Sequence, residues 1–310
     1  MRVLVTGGAG FIASHVTDAF IAAGHQVAVL DDLSSGKREN LNPQAAFYHL
    51  DVRDPGVADV MRRERPEVLC HHAAQMDVRR SVADPVFDAQ VNLVGLLNLL
   101  EHGRQNGLQR VLFSSTGGAI YGEQDVFPAP ETHKTEPVSP YGVAKLASEK
   151  YLFFYSVAYG ISYAALRYGN VYGPRQNPHG EAGVVAIFAE KLLRGEQPII
   201  NGEGLQTRDY VYVGDLVRAN LAALTAEFSG PVNLGTGIET DVNTLFHHLR
   251  TLSGASVPEQ HGPAKPGEQL RSVIDSRLAQ RVLGWRPQMS LEDGLRETVA
   301  FFRARLPAKV

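Results

Sequence analysis

The chain opens on a short apolar run, Arg2–Thr6, that passes directly into Thr6-Gly7-Gly8-Ala9-Gly10-Phe11-Ile12-Ala13 and then into a helical pattern over Gly10–Ala23. A strand, a glycine-rich turn and a helix in that order are the first half of a strand–helix–strand unit. Such a unit commits a chain to a parallel sheet. Gly7 permits a tight turn after the strand. Gly10 lets the backbone approach a phosphate, and the helix behind it aims N–H groups at that phosphate. Ala13 stands where a third glycine would keep helix and strand close; its methyl loosens that packing only slightly.

The alternation continues for about two-thirds of the chain. Strands are expected at Gln26–Asp31, Ala46–Asp51, Val68–His71, Arg110–Ser114 and Ser162–Arg167, and helices at Val57–Glu64, Val86–Arg104 and Pro140–Ala158. The fold class is therefore α/β: a Rossmann-type doubly wound parallel sheet, which binds ligands beyond the carboxyl ends of its strands. After about Gly169, prolines and glycines interrupt the pattern. Helices recur near Gly183–Arg194, Gly214–Ala226, Val242–Ser253, Ser276–Leu283 and Leu291–Arg303. Residues 1–169, rejoined by about 209–235, are expected to form a dinucleotide-binding domain. Residues 170–208 and 236–310 are expected to form a smaller C-terminal α/β substrate lobe.

An acid follows the glycines by about 20 residues: Asp31, then Asp32, at the end of the second strand. A carboxylate there accepts hydrogen bonds from ribose hydroxyls and repels a 2′-phosphate, which favours NAD over NADP. Lys37 and Arg38 lie several residues further on and read as solvated loop charges. Asp51 and Val52 close the expected third strand, where an adenine edge would lie; Asp51 could instead cap a helix.

Tyr141 and Lys145 are four residues apart, so they share one face of the helix that Ser139-Pro140 begins. A free phenol titrates near ~10, too high for a base at neutral pH. A neighbouring ammonium favours the phenolate and lowers that value. Lys145 can also bond a nicotinamide ribose. The fifth strand ends in Phe113-Ser114-Ser115-Thr116. The Thr116 hydroxyl could merely satisfy backbone groups. It could also bond the substrate hydroxyl that Tyr141 deprotonates. Together these residues point to a nicotinamide cofactor meeting a hydroxyl-bearing substrate.

Composition narrows the class. At 44% hydrophobic and 20% charged residues over 310 positions, the chain has ample material for a core. A net charge of −3 with no dense basic run lacks the footprint of nucleic-acid binding. The one cysteine, Cys70, sits in an apolar strand pattern and reads as a small core residue in a reducing compartment. The chain begins at once in a strand and carries no apolar stretch long enough for a bilayer, so a cytoplasmic protein with no membrane partner is expected. His71-His72 would point to opposite faces of a strand, and His247-His248 lack carboxylates at useful spacing. No metal site is expected.

The ordered set of motifs resembles the extended short-chain dehydrogenases, and within them the UDP-glucose 4-epimerase and UDP-N-acetylglucosamine 4-epimerase family. Its marks run nearly end to end: Thr6–Ala13, Asp31–Gly36, Asp51-Val52, His72–Gln75, Val91-Asn92, Ser114–Gly122, Tyr141–Lys145, Leu166–Arg175, Arg208–Val213, Asn233–Gly237 and Lys265–Glu268. The resemblance implies a bound NAD, with Thr116, Tyr141 and Lys145 as catalytic residues. It implies cofactor contacts from Gly7, Gly10, Phe11 and Ile12, and from Asp31, Asp32, Ser35, Gly36, Asp51 and Val52. Ala73, Ala74, Gln75, Asn92, Ser114 and Tyr168 complete that set. Asn92 would also support the geometry of the active-site helix. Tyr168 would pack on the nicotinamide, though it could equally be a core aromatic.

For substrate, the resemblance implies that Asn170 and Arg208 hold a UDP-sugar diphosphate. Asn170 could otherwise be a turn residue, and Arg208 a surface partner of Asp209. Val184, Ile199, Asn201, Lys265, Glu268 and Ser272 would line the rest of the nucleotide-sugar lobe. Several positions depart from the family pattern. Gly117-Gly118 lengthens the loop after Thr116, Lys265 stands for an arginine and Glu268 for an aspartate, and Gly183 and Asn201 differ at the uracil. Ser272 is small at the pocket-gating position, which would leave space for a 2-N-acetyl group. The implied reaction removes the proton and hydride at sugar C4, turns the transient 4-keto sugar over and returns the hydride to its other face.

Two other readings compete. A nucleotide-sugar 4,6-dehydratase or decarboxylase needs a carboxylate just after the threonine, where Gly117 and Gly118 stand. A non-catalytic dinucleotide sensor on the same fold would not need the Tyr141–Lys145 pair. Helices Val86–Arg104 and Pro140–Ala158 are long and apolar, with Tyr151, Phe153, Phe154 and Tyr155 on the second. Burial on the sheet would explain them. In the family resembled, the same pair forms a four-helix interface, which implies a homodimer.

Overall fold

The computed structural model describes residues 1–179, 183–265 and 269–306. Seven parallel strands form the central sheet: β1 (Arg2–Thr6), β2 (Gln26–Asp31), β3 (Ala46–His49), β4 (Val68–His71), β5 (Arg110–Thr116), β6 (Ser162–Tyr168) and β11 (Gly230–Leu234). Their spatial order is β3-β2-β1-β4-β5-β6-β11. The order reverses between β1 and β4, and a doubly wound sheet opens its ligand crevice at such a point.

Alternation along the strands builds two cores. Val3, Val5, Val27, Val29 and Leu112 face one side, against α1 (Phe11–Ala22) and the later helix α8 (Val213–Thr225). Leu4, Leu30, Leu69, Val111 and Phe113 face the other, against α2 (Val57–Glu64), α5 (Gly95–Gln105) and α6 (Pro140–Tyr159). Successive strand side chains point to opposite faces, so a sheet covered on both sides needs unbroken apolar runs. Each such leucine or valine contributes roughly 1.5–3 kcal/mol on burial. Cys70, on β4, is fully buried, and that burial pushes its thiol well above the ordinary range.

A third core joins α7 (Val184–Arg194), α9 (Val242–Ser253) and α11 (Leu291–Arg305) through Phe188, Phe246, Leu249 and Leu295. Short strands fringe it. β7 (Asn170–Tyr172) pairs with β10 (Tyr210–Tyr212), and β8 (Ile200–Asn201) with β13 (His261–Gly262). β9 (Thr207–Arg208) lies between β12 (Thr240–Asp241) and β14 (Arg271–Ser272). Helix α10 (Arg277–Leu283) returns to the main sheet with Trp285.

Several segments depart from the sequence expectation. β3 stops at His49, because the Asp51 carboxylate accepts the Arg53 N–H and turns the chain. β5 and β6 each run further, ending on the register pair Thr116–Tyr168. The expected helix Val86–Arg104 is instead α4 (Pro85–Ala89), a π turn over Gln90–Val94, and α5. A helix α3 (Val78–Ala83), capped by the Asp77 side chain, precedes it.

Candidate active site

Gly7 ends β1 with φ +72°, and a Cβ added there would lie 2.7 Å from the Ala73 backbone nitrogen. Only glycine allows this close crossing of two strand ends. The Gly10 N–H donates to the Gly7 carbonyl at 2.9 Å. Gly10 then caps α1 without a side-chain bond to the first turn, where Phe11 and Ile12 sit. Ala13 is buried in the core between α1 and the sheet, so its methyl is accommodated. This uncapped helix start behind a glycine turn fits a pyrophosphate.

Asp31 is buried at the end of β2. Its carboxylate accepts the Ala9 N–H at 2.9 Å and the Leu33 N–H at 2.8 Å. Burial raises its pKa, and the two backbone bonds work against that rise. The acid therefore also fastens the glycine turn to β2. Asp32 is exposed and accepts from the Ser34 N–H and hydroxyl. Ser35 is exposed, and Gly36 packs against Ala9 and Asp31. Arg38 lies over the Phe47 ring at 5.6 Å. Asp51 is held below its ordinary pKa chiefly by side-chain bonds from Arg53, at 2.6 and 2.9 Å. Val52 is buried against Gly95 of α5, and its carbonyl accepts from Asn98.

Beyond β4, the Ala73 N–H donates to the Thr6 hydroxyl at 3.3 Å. Ala74 is half-buried, and Gln75 is buried in a polar knot. Asn92, on the π turn, donates to the Gln75 carbonyl at 2.8 Å and to Asp88 at 3.0 Å, and accepts the Gln75 N–H at 2.9 Å. The π turn thus carries Asn92 into the loop that follows β4. His71 bonds the Thr6 hydroxyl at 2.7 Å, and His72 bonds the Tyr168 hydroxyl at 3.2 Å. Burial drives His71 well below its ordinary pKa and His72 to about 3, with Lys145 adding to both. Tyr168 lies in the core, its hydroxyl also accepting from Asn220 at 2.8 Å.

The Ser139 hydroxyl caps α6 by accepting the Gly142 N–H, and Pro140 takes the first helical position. Tyr141 is half-buried one residue later. Lys145 is only 2% exposed, and its ammonium donates to the Ser114 carbonyl at 2.9 Å. The same Nζ is 5.8 Å from the centre of the Tyr141 ring and 4.7 Å from that of Phe113. Burial lowers the Lys145 pKa to about 8, against opposing attraction from Asp88 and Glu149. Near neutrality it keeps its charge.

The diglycine after Thr116 has two distinct jobs. A Cβ on Gly117 would strike Ile274 at 2.6 Å, so no side chain fits there without displacement. A Cβ on Gly118 would stand 3.6 Å from Asn170 Oδ1 and 3.9 Å from Thr116 Oγ1. Gly118 therefore marks the gap between the Thr116 hydroxyl and exposed Asn170 at the start of β7.

In the smaller lobe, Arg208 on β9 donates to the Thr207 carbonyl at 2.7 Å and stands in register with Ser272 of β14. Ser272 is buried. Asp209 is buried too, not a surface residue. Its carboxylate accepts from the Thr236, Gly237 and Ile274 backbones and the Thr236 hydroxyl. Val184 opens α7, Ile199 is exposed just before β8, Asn201 is half-buried on β8 and Lys265 is exposed. Glu268 lies outside the described residues. Sequence reasoning passed over Glu149, which is buried one helical turn beyond Lys145 and paired with Arg167 at 2.6 Å. Its spacing of four from Lys145 was the available signal.

The model of the NAD dependent epimerase/dehydratase family matches residues 3–235. The UDP-glucose 4-epimerase of Mycolicibacterium smegmatis is 44% identical over 309 residues, covering 98% of this chain and 99% of that protein. Among solved structures, the UDP-glucose 4-epimerase of Thermotoga maritima with UDP-glucose is 50% identical at a TM-score of 0.96, covering 98% and 99% of the two chains. The Thermus thermophilus UDP-glucose 4-epimerase in complex with NAD is 46% identical at a TM-score of 0.94, covering 99% and 100%.

Proposed function

From the premise that the chain belongs to the NAD dependent epimerase/dehydratase family, we propose how its own residues carry out C4 epimerisation. The protein is an NAD-dependent UDP-sugar 4-epimerase, an isomerase that interconverts UDP-glucose and UDP-galactose through a transient 4-keto sugar. NAD, when bound, takes the hydride from sugar C4 and returns it to the opposite face. Tyr141 takes the 4-hydroxyl proton as the hydride leaves and gives it back on return. The Lys145 ammonium favours the phenolate and bonds the nicotinamide ribose. Thr116 bonds the same substrate hydroxyl and keeps its proton aimed at Tyr141.

The observation that carries this assignment is the buried Lys145 lying against both the Tyr141 ring and the end of the strand bearing Thr116. Asn170 and Arg208 anchor the diphosphate, Arg208 as a bidentate donor. The keto sugar turns about that anchor in the gap over Gly118. Gly7, Gly10, Phe11 and Ile12 seat the pyrophosphate. Asp31 and Asp32 receive the adenosine ribose, with Ser35, Gly36, Asp51 and Val52 around the adenine. We assign residues 1–169 with 209–235 to cofactor and the remainder to the UDP-sugar, except for α10 and Trp285, which pack in the core of the main sheet and not in the smaller lobe; β11 pairing beside β6 supports the rejoining of 209–235 to the sheet. Gly117 and Gly118 offer no carboxylate after Thr116, where a dehydratase places one, which argues against that reaction.

The test is incubation with UDP-glucose, UDP-N-acetylglucosamine and UDP-xylose without added cofactor, followed by separation of the epimers. UDP-galactose is expected. A stable 4-keto-6-deoxy product would overturn the assignment. Ser272→Tyr, beside Arg208, is expected to abolish turnover of the N-acetyl substrate and spare UDP-glucose; equal loss of both would remove Ser272 as the gate.

We further propose a homodimer in the cytoplasm. Tyr151, Phe153, Phe154 and Val157 on α6 are exposed together with Val86 on α4 and Val94 on the π turn. Apolar exposure of that extent is seldom left bare on a soluble chain. A single buried thiol suits a reducing compartment, and no described helix is long and apolar enough to cross a membrane. Light scattering at micromolar concentration is expected to give twice the chain mass; a monomer would refute the interface.

A further inference from the structure

We propose that Glu149 is a positioning residue for proton transfer, tying the helix that bears Tyr141 and Lys145 to the strand ends that bear Thr116 and Tyr168. The inference rests on the epimerase reading above. Glu149 is 5% exposed and stands on α6 one turn beyond Lys145 and two beyond Tyr141. Arg167 Nη2 donates to its Oε2 at 2.6 Å and Arg167 Nε to its Oε1 at 3.0 Å. The Ser115 hydroxyl donates to the same Oε1 at 2.6 Å.

Ser115 and Arg167 are register partners across β5 and β6, each one residue before Thr116 and Tyr168. One carboxylate therefore grips both strands on the face opposite the one those two residues occupy. Arg167 continues the chain to the Tyr121 hydroxyl at 2.9 Å, and Tyr121 donates to Asn233 Oδ1 at 2.6 Å. Well-packed apolar side chains could fill this volume at least as stably as a buried ion pair. What the Glu149–Arg167 pair and the Ser115 hydroxyl add is direction: three bonds that set where α6 sits along β5.

Glu149 also sets the field at Lys145. Four titratable groups face that ammonium besides Tyr141: Asp88 from α4, Glu149 from α6, and His71 and His72 at the end of β4. The histidines are neutral at working pH, so the two carboxylates are the charges that hold its proton.

The experiment compares the holoenzyme with Glu149→Gln. Bound-nicotinamide absorbance and a thermal melt check the fold. KM for UDP-glucose is expected to stay within about twofold, while kcat falls about 10²-fold, the scale of a small misplacement of reacting groups. The basic limb of the kcat–pH profile is expected at lower pH, because removing one carboxylate lowers the Lys145 pKa further. A folded variant with the parent kcat and profile, or with only a raised KM, overturns the proposal. Glu149→Leu combined with Arg167→Met removes the charges without leaving one unpaired, and the same kcat loss is expected. Should both fail to fold, Ser115→Ala decides, with a kcat loss of at least about fivefold expected and an unchanged kcat counting against. Tyr141→Phe is assayed alongside. Unimpaired Tyr141→Phe removes the epimerase chemistry itself, whereas impaired Tyr141→Phe beside normal Glu149 variants removes only the positioning role.

Discussion

Tyr141→Phe is expected to lower kcat by about 10²-fold or more while NAD stays bound. That factor corresponds to about 2.7 kcal/mol of lost transition-state stabilisation, the usual scale of acid–base help. The change deletes one oxygen from a half-buried ring and keeps the ring itself, so α6 retains its packing. Lys145 keeps its bond to the Ser114 carbonyl, so the cofactor side of the site survives. The check pairs turnover of UDP-glucose with absorbance of co-purified nicotinamide. A variant that holds cofactor and turns over at the parent rate would dismiss Tyr141 as the proton carrier. One that loses cofactor would assign the residue to binding.

Gly7→Ala is expected to raise the Kd for NAD at least about tenfold. The left-handed backbone at Gly7 costs a substituted residue roughly 1–2 kcal/mol. The new methyl would also meet the Ala73 backbone at 2.7 Å, and a peptide cannot rotate aside as a side chain can. Relief requires the ends of β1 and β4 to part, which displaces the Gly7–Gly10 turn and the start of α1. Each 1.4 kcal/mol is a factor of ten in affinity. Calorimetric titration of stripped protein with NAD, with a thermal melt as control, reads the effect. An unchanged Kd would mean that the cofactor does not depend on this turn.

Much of the fold was legible because its signals are local. Runs such as Val3-Leu4-Val5 next to glycine, and Ser139-Pro140 before a helical pattern, report their structure through sterics and hydrogen bonding within a few residues. β1, β2, β4, α2 and α9 fall where those signals put them. The third strand ended early because a local side-chain bond, Asp51 to the Arg53 N–H, competed with the ladder. The π turn escaped because Asn92 is drawn inward by Gln75 and Asp88, groups that periodicity does not see. The short strands β8, β9 and β12–β14 are two residues each, too brief for any period.

The Tyr141–Lys145 pair and the glycine turn could be found in the chain alone, since both partners lie on one element or one turn, at spacings that backbone geometry dictates. Their setting could not. The lowered pKa of Lys145 follows from enclosure by β5, α4 and α6. The second duty of Asp31 follows from how closely the glycine turn passes β2. Arg208 and Ser272 become neighbours when β9 and β14 pair across more than sixty residues of chain. Glu149 and Arg167 carried no sign of burial in their charge, because burial belongs to the packed layers around them and to no single segment.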